Sequence, residues 1–175
     1  IVNIDKKEIS EEDYFEVIRK KTASLFETCA RVGALLAGGE DDDVEMLGNF
    51  GLQVGVCFQL RDDLLDYDNQ HDTGKPSGND MKEGKLTLPV VNAILSANDE
   101  AMKDLALKVR SGDATDDEIC RLVDFTKTEG GTDYVEKILD KIGRDSINLL
   151  QGKGDRNEEV VNSLIEYVRF VIDRE

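Results

Sequence analysis

An all-α fold is what this sequence predicts, and three observations carry the prediction. Apolar residues recur at helical spacing over most of the chain, only two prolines interrupt its 175 residues, and no stretch alternates convincingly with a period of two. By length the chain is one domain, residues 1–175, with room for a proper core. There is no internal repeat and no low-complexity segment.

Residues 1–9 are a mixed lead-in. Ser10 with Asp13 has the spacing of an N-terminal cap, and the pattern predicts a helix from there to about Ala37, where Gly38 and Gly39 stop it. Phe15, Ile18, Leu25, Phe26, Cys29, Val32 and Leu36 form its apolar positions, interrupted by Lys21 and Thr22. Glu40 to Asp43 open the next helix, since negative charge is favourable at a helix N-terminus. From Gly48 the spacing predicts a helix of about twenty residues. Thr87 and Pro89 begin another, reaching about Ala97, with proline tolerated in the first turn. Four more follow, at about Asp99 to Val109, Asp116 to Glu129, Asp133 to Leu150 and Glu158 to Ile172. Thr115 with Glu118 and Asp155 with Glu158 are spaced as N-terminal caps.

Charge narrows the function. Against 38 acidic residues stand 22 basic ones, and the resulting net charge of −16 argues against nucleic acid and anionic membrane surfaces. No apolar run approaches membrane-spanning length, and no signal peptide is visible. The three cysteines, 29, 57 and 120, lack metal-ligand spacing, and an odd number does not make a disulfide framework. Two lie in apolar helical patterns, which predicts buried free thiols in a reducing, cytoplasmic setting.

The informative stretch is Gly48 to Lys85. Placed at 100° per residue, Gly51, Gly55, Gln59, Asp62 and Asp66 all fall within roughly 60° of Gly48, with Asp63 at the margin. Apolar residues flank this stripe on both sides, the pattern of a helix with two neighbours. The small residues predict open space, and three carboxylates stand at its end. Gathering like charges is unfavourable unless a cation neutralises them, and carboxylate oxygens suit magnesium. Lys75 and Lys85 follow, ammonium groups suited to the remaining oxygens of a polyphosphate. The residues thus predict a magnesium-dependent diphosphate site at the mouth of an open channel. A DDxxD arises by chance about 0.3 times in a chain of this composition, so the weight rests on the stripe and the lysines. His71, the only histidine, sits in a polar loop and reads as solvated. Asp68 to Asp72 do not make a calcium loop, because Thr73 and Asn79 stand where glycine and glutamate are needed.

FQLRDDLLDY, followed by TGKPSGNDMKEGKLTLPVV, resembles the second aspartate-rich motif and following loop of trans-polyprenyl diphosphate synthases. Upstream, KKTASLFETCARVGALLAG resembles that family's Lys-Thr helix, so the likeness covers about Tyr14 to Asn92. The resemblance implies the C-terminal part of an isoprenoid-synthase helical bundle. It also implies condensation of an allylic diphosphate with isopentenyl diphosphate, with Mg2+ as cofactor. Asp62, Asp63 and Asp66 would be the catalytic and metal-binding face, with Asp62 the most direct ligand. Lys21, Lys75 and Lys85 would contact diphosphate, with Thr22 and Gln59 as polar support and Asp80 steadying Lys85 or a metal-bound water. The first residue is Ile1, and the family's first aspartate-rich motif does not appear. A fragment inactive by itself is therefore expected, the parent being homodimeric. A non-catalytic subunit or paralogue that binds magnesium-diphosphate or a partner is the alternative.

Overall fold

A computed structural model of the protein describes residues 9–67, 78–151 and 157–174. Every regular element among them is helical: α1 (Glu11–Ile18), a π-helical turn (Arg19–Ala23), α2 (Ser24–Leu36), α3 (Asp41–Leu65), α4 (Asn79–Lys82), α5 (Leu88–Ala97), α6 (Glu100–Ser111), α7 (Asp116–Thr128), α8 (Gly131–Leu150) and α9 (Glu158–Asp173). The all-α expectation holds, with one difference at the start. The helix predicted from Ser10 to about Ala37 is broken into α1 and α2 by the π turn, which carries Lys21 and Thr22. The short α4 was not legible at all.

Local chemistry explains most boundaries. Ser10 Oγ accepts the amide of Asp13 at 3.4 Å and opens α1. Asp99 accepts the amides of Ala101 and Met102 to start α6. Thr115 and Glu118 form the reciprocal capping box of α7. The cap of α9 is Asn157, which accepts from Glu159 and Val160. Asp155, the expected cap, lies outside the described residues.

Contacts divide the chain into two compact units. The first comprises residues 1–15, 62–137 and 175, the second residues 16–61 and 138–174. In the first, Val90, Val91, Ile94, Ala106, Val109, Leu122 and Val123 are fully buried or nearly so, and α7 packs on α5 and α6. Burying side chains of this size is worth roughly 1.5–3 kcal/mol each before conformational entropy is counted. Glu11 ties α1 down: it accepts from Asn92 Nδ2 at 3.2 Å and from the Tyr134 hydroxyl at 3.0 Å.

Lys108 grips Glu118 through both carboxylate oxygens, at 2.6 and 2.8 Å. This ion pair, joined by the Thr115 amide and hydroxyl, draws the Glu118 carboxyl down to about 2 from an ordinary 4.5. The folded state therefore favours the ionised acid. The stabilisation is complete above pH 4.5 and is lost as pH falls towards 2. Glu118→Gln is expected to flatten the pH dependence of the urea midpoint across that window. An unchanged slope would place the acid sensitivity elsewhere.

In the second unit, α2 and the π turn lie directly on the glycine face of α3. A Cβ at Gly51 would stand 2.6 Å from the Phe26 carbonyl oxygen, and one at Gly55 2.6 Å from the Ala23 Cα. Gly48, Gly51 and Gly55 are all buried. The open channel expected along this stripe is therefore corrected: the missing side chains admit a neighbouring backbone. In the same unit Arg174 closes on α3. Its guanidinium stacks 3.9 Å from the Phe58 ring centroid and donates to the Phe58 carbonyl at 3.0 Å, while Arg61 Nε donates to the Arg174 carbonyl at 2.7 Å.

The cysteine expectation holds only in part. Cys57 is buried, and burial pushes its thiol up to about 12. Cys29 and Cys120 are exposed, and near Cys29 the apolar positions Leu25, Val32 and Leu36 of α2 face outward as well. No helix among the described residues is long and apolar enough to cross a membrane.

Candidate active site

The three aspartates occupy the C-terminal end of α3, where no basic residue stands in the last turn. The carbonyl end of a helix is negative, so acids placed there are electrostatically uncomfortable. The fold treats each one differently. Asp62 is exposed. Asp63 is 3% exposed and accepts the Tyr14 hydroxyl at 2.6 Å on Oδ2. Asp66 receives two backbone amides, Asn79 at 3.0 Å on Oδ1 and Asp80 at 3.1 Å on Oδ2.

Asp66 thereby caps α4 from outside. Gly78 precedes that helix with φ +85, a conformation that suits glycine, and its amide bonds the Asp66 carbonyl at 3.1 Å. The Asp66 carboxyl is nevertheless held above the usual range. Burial is the largest cause, with the charges of Asp80 and Asp62 adding to it against the two amides. A carboxyl that holds its proton too tightly beside other carboxylates is short of positive charge.

Lys85, exposed, pairs with Glu83 and lies 3.5 Å from Asp80 Oδ1, and its backbone amide bonds the Asp80 carbonyl at 2.8 Å. The hydrogen bond it donates to Glu83 is the main reason its ammonium is held above the usual lysine range. Asp80 and Lys85 are therefore neighbours in the fold. In the second unit the Thr22 hydroxyl donates to Gln59 Oε1 at 2.8 Å, joining two residues 37 apart that are both expected as polar support. Lys21, beside Thr22 on the π turn, is exposed. Such widened turns recur at functional sites because they redirect side chains from the regular helical face. Lys75 lies outside the described residues.

Among the described residues no three His, Cys, Asp or Glu side chains stand close enough to hold a metal ion by themselves. The donor set still fits magnesium. It supplies hard carboxylate oxygens, exposed at Asp62 and oriented at Asp63 and Asp66 by hydrogen bonds, and magnesium takes few protein ligands beside water and substrate phosphate.

Sequence reasoning missed Tyr14. It sits on the buried face of α1 and reads as an ordinary core aromatic, and its partner lies 49 residues away. Burial, then the neighbouring Asp63 charge, push its hydroxyl well above the usual tyrosine range, so it remains a donor at any working pH.

Comparisons with known proteins identify relatives of the chain. The Polyprenyl synthetase family matches residues 1–125. A geranylgeranyl diphosphate synthase of Sulfolobus acidocaldarius is 30% identical over 167 residues, covering 93% of this chain and 50% of the relative. Among solved structures, a geranylgeranyl pyrophosphate synthase from Bacteroides thetaiotaomicron superposes with a TM-score of 0.90 at 41% identity, covering 98% of this chain and 56% of that one. A polyprenyl synthase from Caulobacter crescentus, solved in complex with calcium and isoprenyl diphosphate, gives 0.83 at 28% identity, covering 97% and 51%. The chain spans about half the length of the curated relatives it matches.

Proposed function

The chain belongs to the polyprenyl synthetase family, and from that premise we propose that it carries the second diphosphate-binding face of a trans-prenyltransferase. The complete enzyme, of which these residues form about half by comparison with relatives, joins an allylic diphosphate head-to-tail to isopentenyl diphosphate. One observation carries the reading. The end of α3 presents an exposed Asp62 beside two aspartates already oriented, Asp63 by Tyr14 and Asp66 by the amides of α4.

Asp62, Asp63 and Asp66 would hold Mg2+, Asp62 most directly. Bound there, magnesium supplies positive charge to a diphosphate leaving group. The protein does the rest by position. Lys21, Lys75 and Lys85 contact diphosphate oxygens, where fixed ammonium groups stabilise charge that grows as the allylic C–O bond breaks. Asp80 holds Lys85 in place for this contact. Thr22 and Gln59, locked to each other, give the substrate polar support without competing for solvent. The Caulobacter relative solved with calcium and isoprenyl diphosphate supports the pairing of a divalent cation with a diphosphate in this fold. We further propose a homodimeric, cytoplasmic parent and no turnover by these 175 residues alone.

Calorimetric titration of the chain with magnesium, with and without inorganic diphosphate, tests the reading. Saturable magnesium binding that strengthens when diphosphate is present is expected. A flat titration under both conditions would sink it.

A further inference from the structure

Asp63 is a buried acid, and a buried acid needs a donor. Its donor comes from α1, a helix fixed independently of the aspartates: Glu11, one turn before Tyr14, is bound by Asn92 and Tyr134. The Tyr14 hydroxyl is therefore placed before any ligand arrives. Tyr14 is 9% exposed and Asp63 3%, so water does not replace this contact easily. Consecutive residues on a helix point about 100° apart. Pinning Asp63 inward consequently fixes the rotation of the last turn of α3 and keeps its neighbour Asp62 outward, as observed.

We propose that Tyr14 is a positioning residue for the aspartate-rich end of α3: its hydroxyl, 2.6 Å from Asp63 Oδ2, sets the orientation of Asp63 and Asp62 and thereby the affinity for a divalent cation with its diphosphate. The inference rests on the proposed diphosphate site, and it assigns to α1 a share in that site that the aspartate motif does not contain. Groups that orient metal ligands from behind typically contribute 10–100-fold in affinity.

The test is a double-mutant cycle read by calorimetry, with magnesium titrated in the presence of inorganic diphosphate. Tyr14→Phe is expected to weaken binding about tenfold while the chain stays folded. Asp63→Asn should weaken it too, and Tyr14→Phe added to Asp63→Asn should cost nothing further. Affinity unchanged in Tyr14→Phe, or losses that simply add, would overturn the proposal and leave Tyr14 a packing residue. Should Tyr14→Phe not fold, proton NMR of the wild-type chain decides. A protected, downfield Tyr14 hydroxyl resonance that moves on adding magnesium and diphosphate supports the positioning role, and one that stays put overturns it. Absence of binding by the wild-type chain would sink the site and the inference together. Binding by wild type with an indifferent Tyr14→Phe would sink only the inference.

Discussion

Asp62→Ala in the complete enzyme is expected to cut turnover on the order of a hundred- to a thousandfold, the range seen when one preorganised electrostatic partner of a transition state is removed. The fold should survive. Asp62 is exposed, so its loss opens no cavity. Stability should even rise slightly, because Asp62 is one of the charges that hold the Asp66 carboxyl above its usual range. Steady-state turnover and a urea melt, measured on the same preparation, check both halves. Wild-type turnover would remove Asp62 from the mechanism. A large drop in stability would show that its charge is balanced by a partner the fold depends on.

The second large effect concerns packing and turns on sign. In a helix interior alanine is favoured over glycine by about 1 kcal/mol. At Gly33 on α2, where nothing lies within 4 Å, Gly33→Ala should therefore stabilise by roughly that amount. At Gly55 the same substitution drives a Cβ to 2.6 Å from the Ala23 Cα, a backbone atom that cannot swing aside. Overpacking of this kind costs about 1–3 kcal/mol or more, so Gly55→Ala should destabilise despite the propensity gain. Urea denaturation of the two variants gives opposite shifts if the glycine face is a contact between backbones. Stabilisation by Gly55→Ala would mean that α2 and the π turn do not approach so closely.

How much of this was legible in the sequence depended on the range of the interaction. Caps at Ser10 and Thr115 were legible because donor and acceptor lie within one turn, whereas α9 is capped by Asn157 and not by the expected Asp155. Helix extents followed from apolar spacing, which is why α5 to α9 begin and end within about two residues of expectation. The motif singled out Asp62, Asp63 and Asp66 as candidates, and resemblance named Thr22 and Gln59 as polar support without foretelling the bond between them. Besides α4, three features stayed hidden. The glycine stripe was legible as absent volume, but the pattern of one helix does not say whether void, solvent or another backbone fills the groove. The π turn has no compositional mark in Arg19–Ala23. Tyr14 acts through a contact made only after folding, and a tyrosine on an apolar face announces packing before it announces a hydrogen bond.

Arg174 gives the C-terminal residues a task of their own. Through its side chain and its carbonyl, Arg174 fastens the end of α9 to Phe58 and Arg61 on the central helix, so this turn behaves as a clasp. Arg174→Ala would therefore loosen α9 from α3 although the two lie more than a hundred positions apart in sequence.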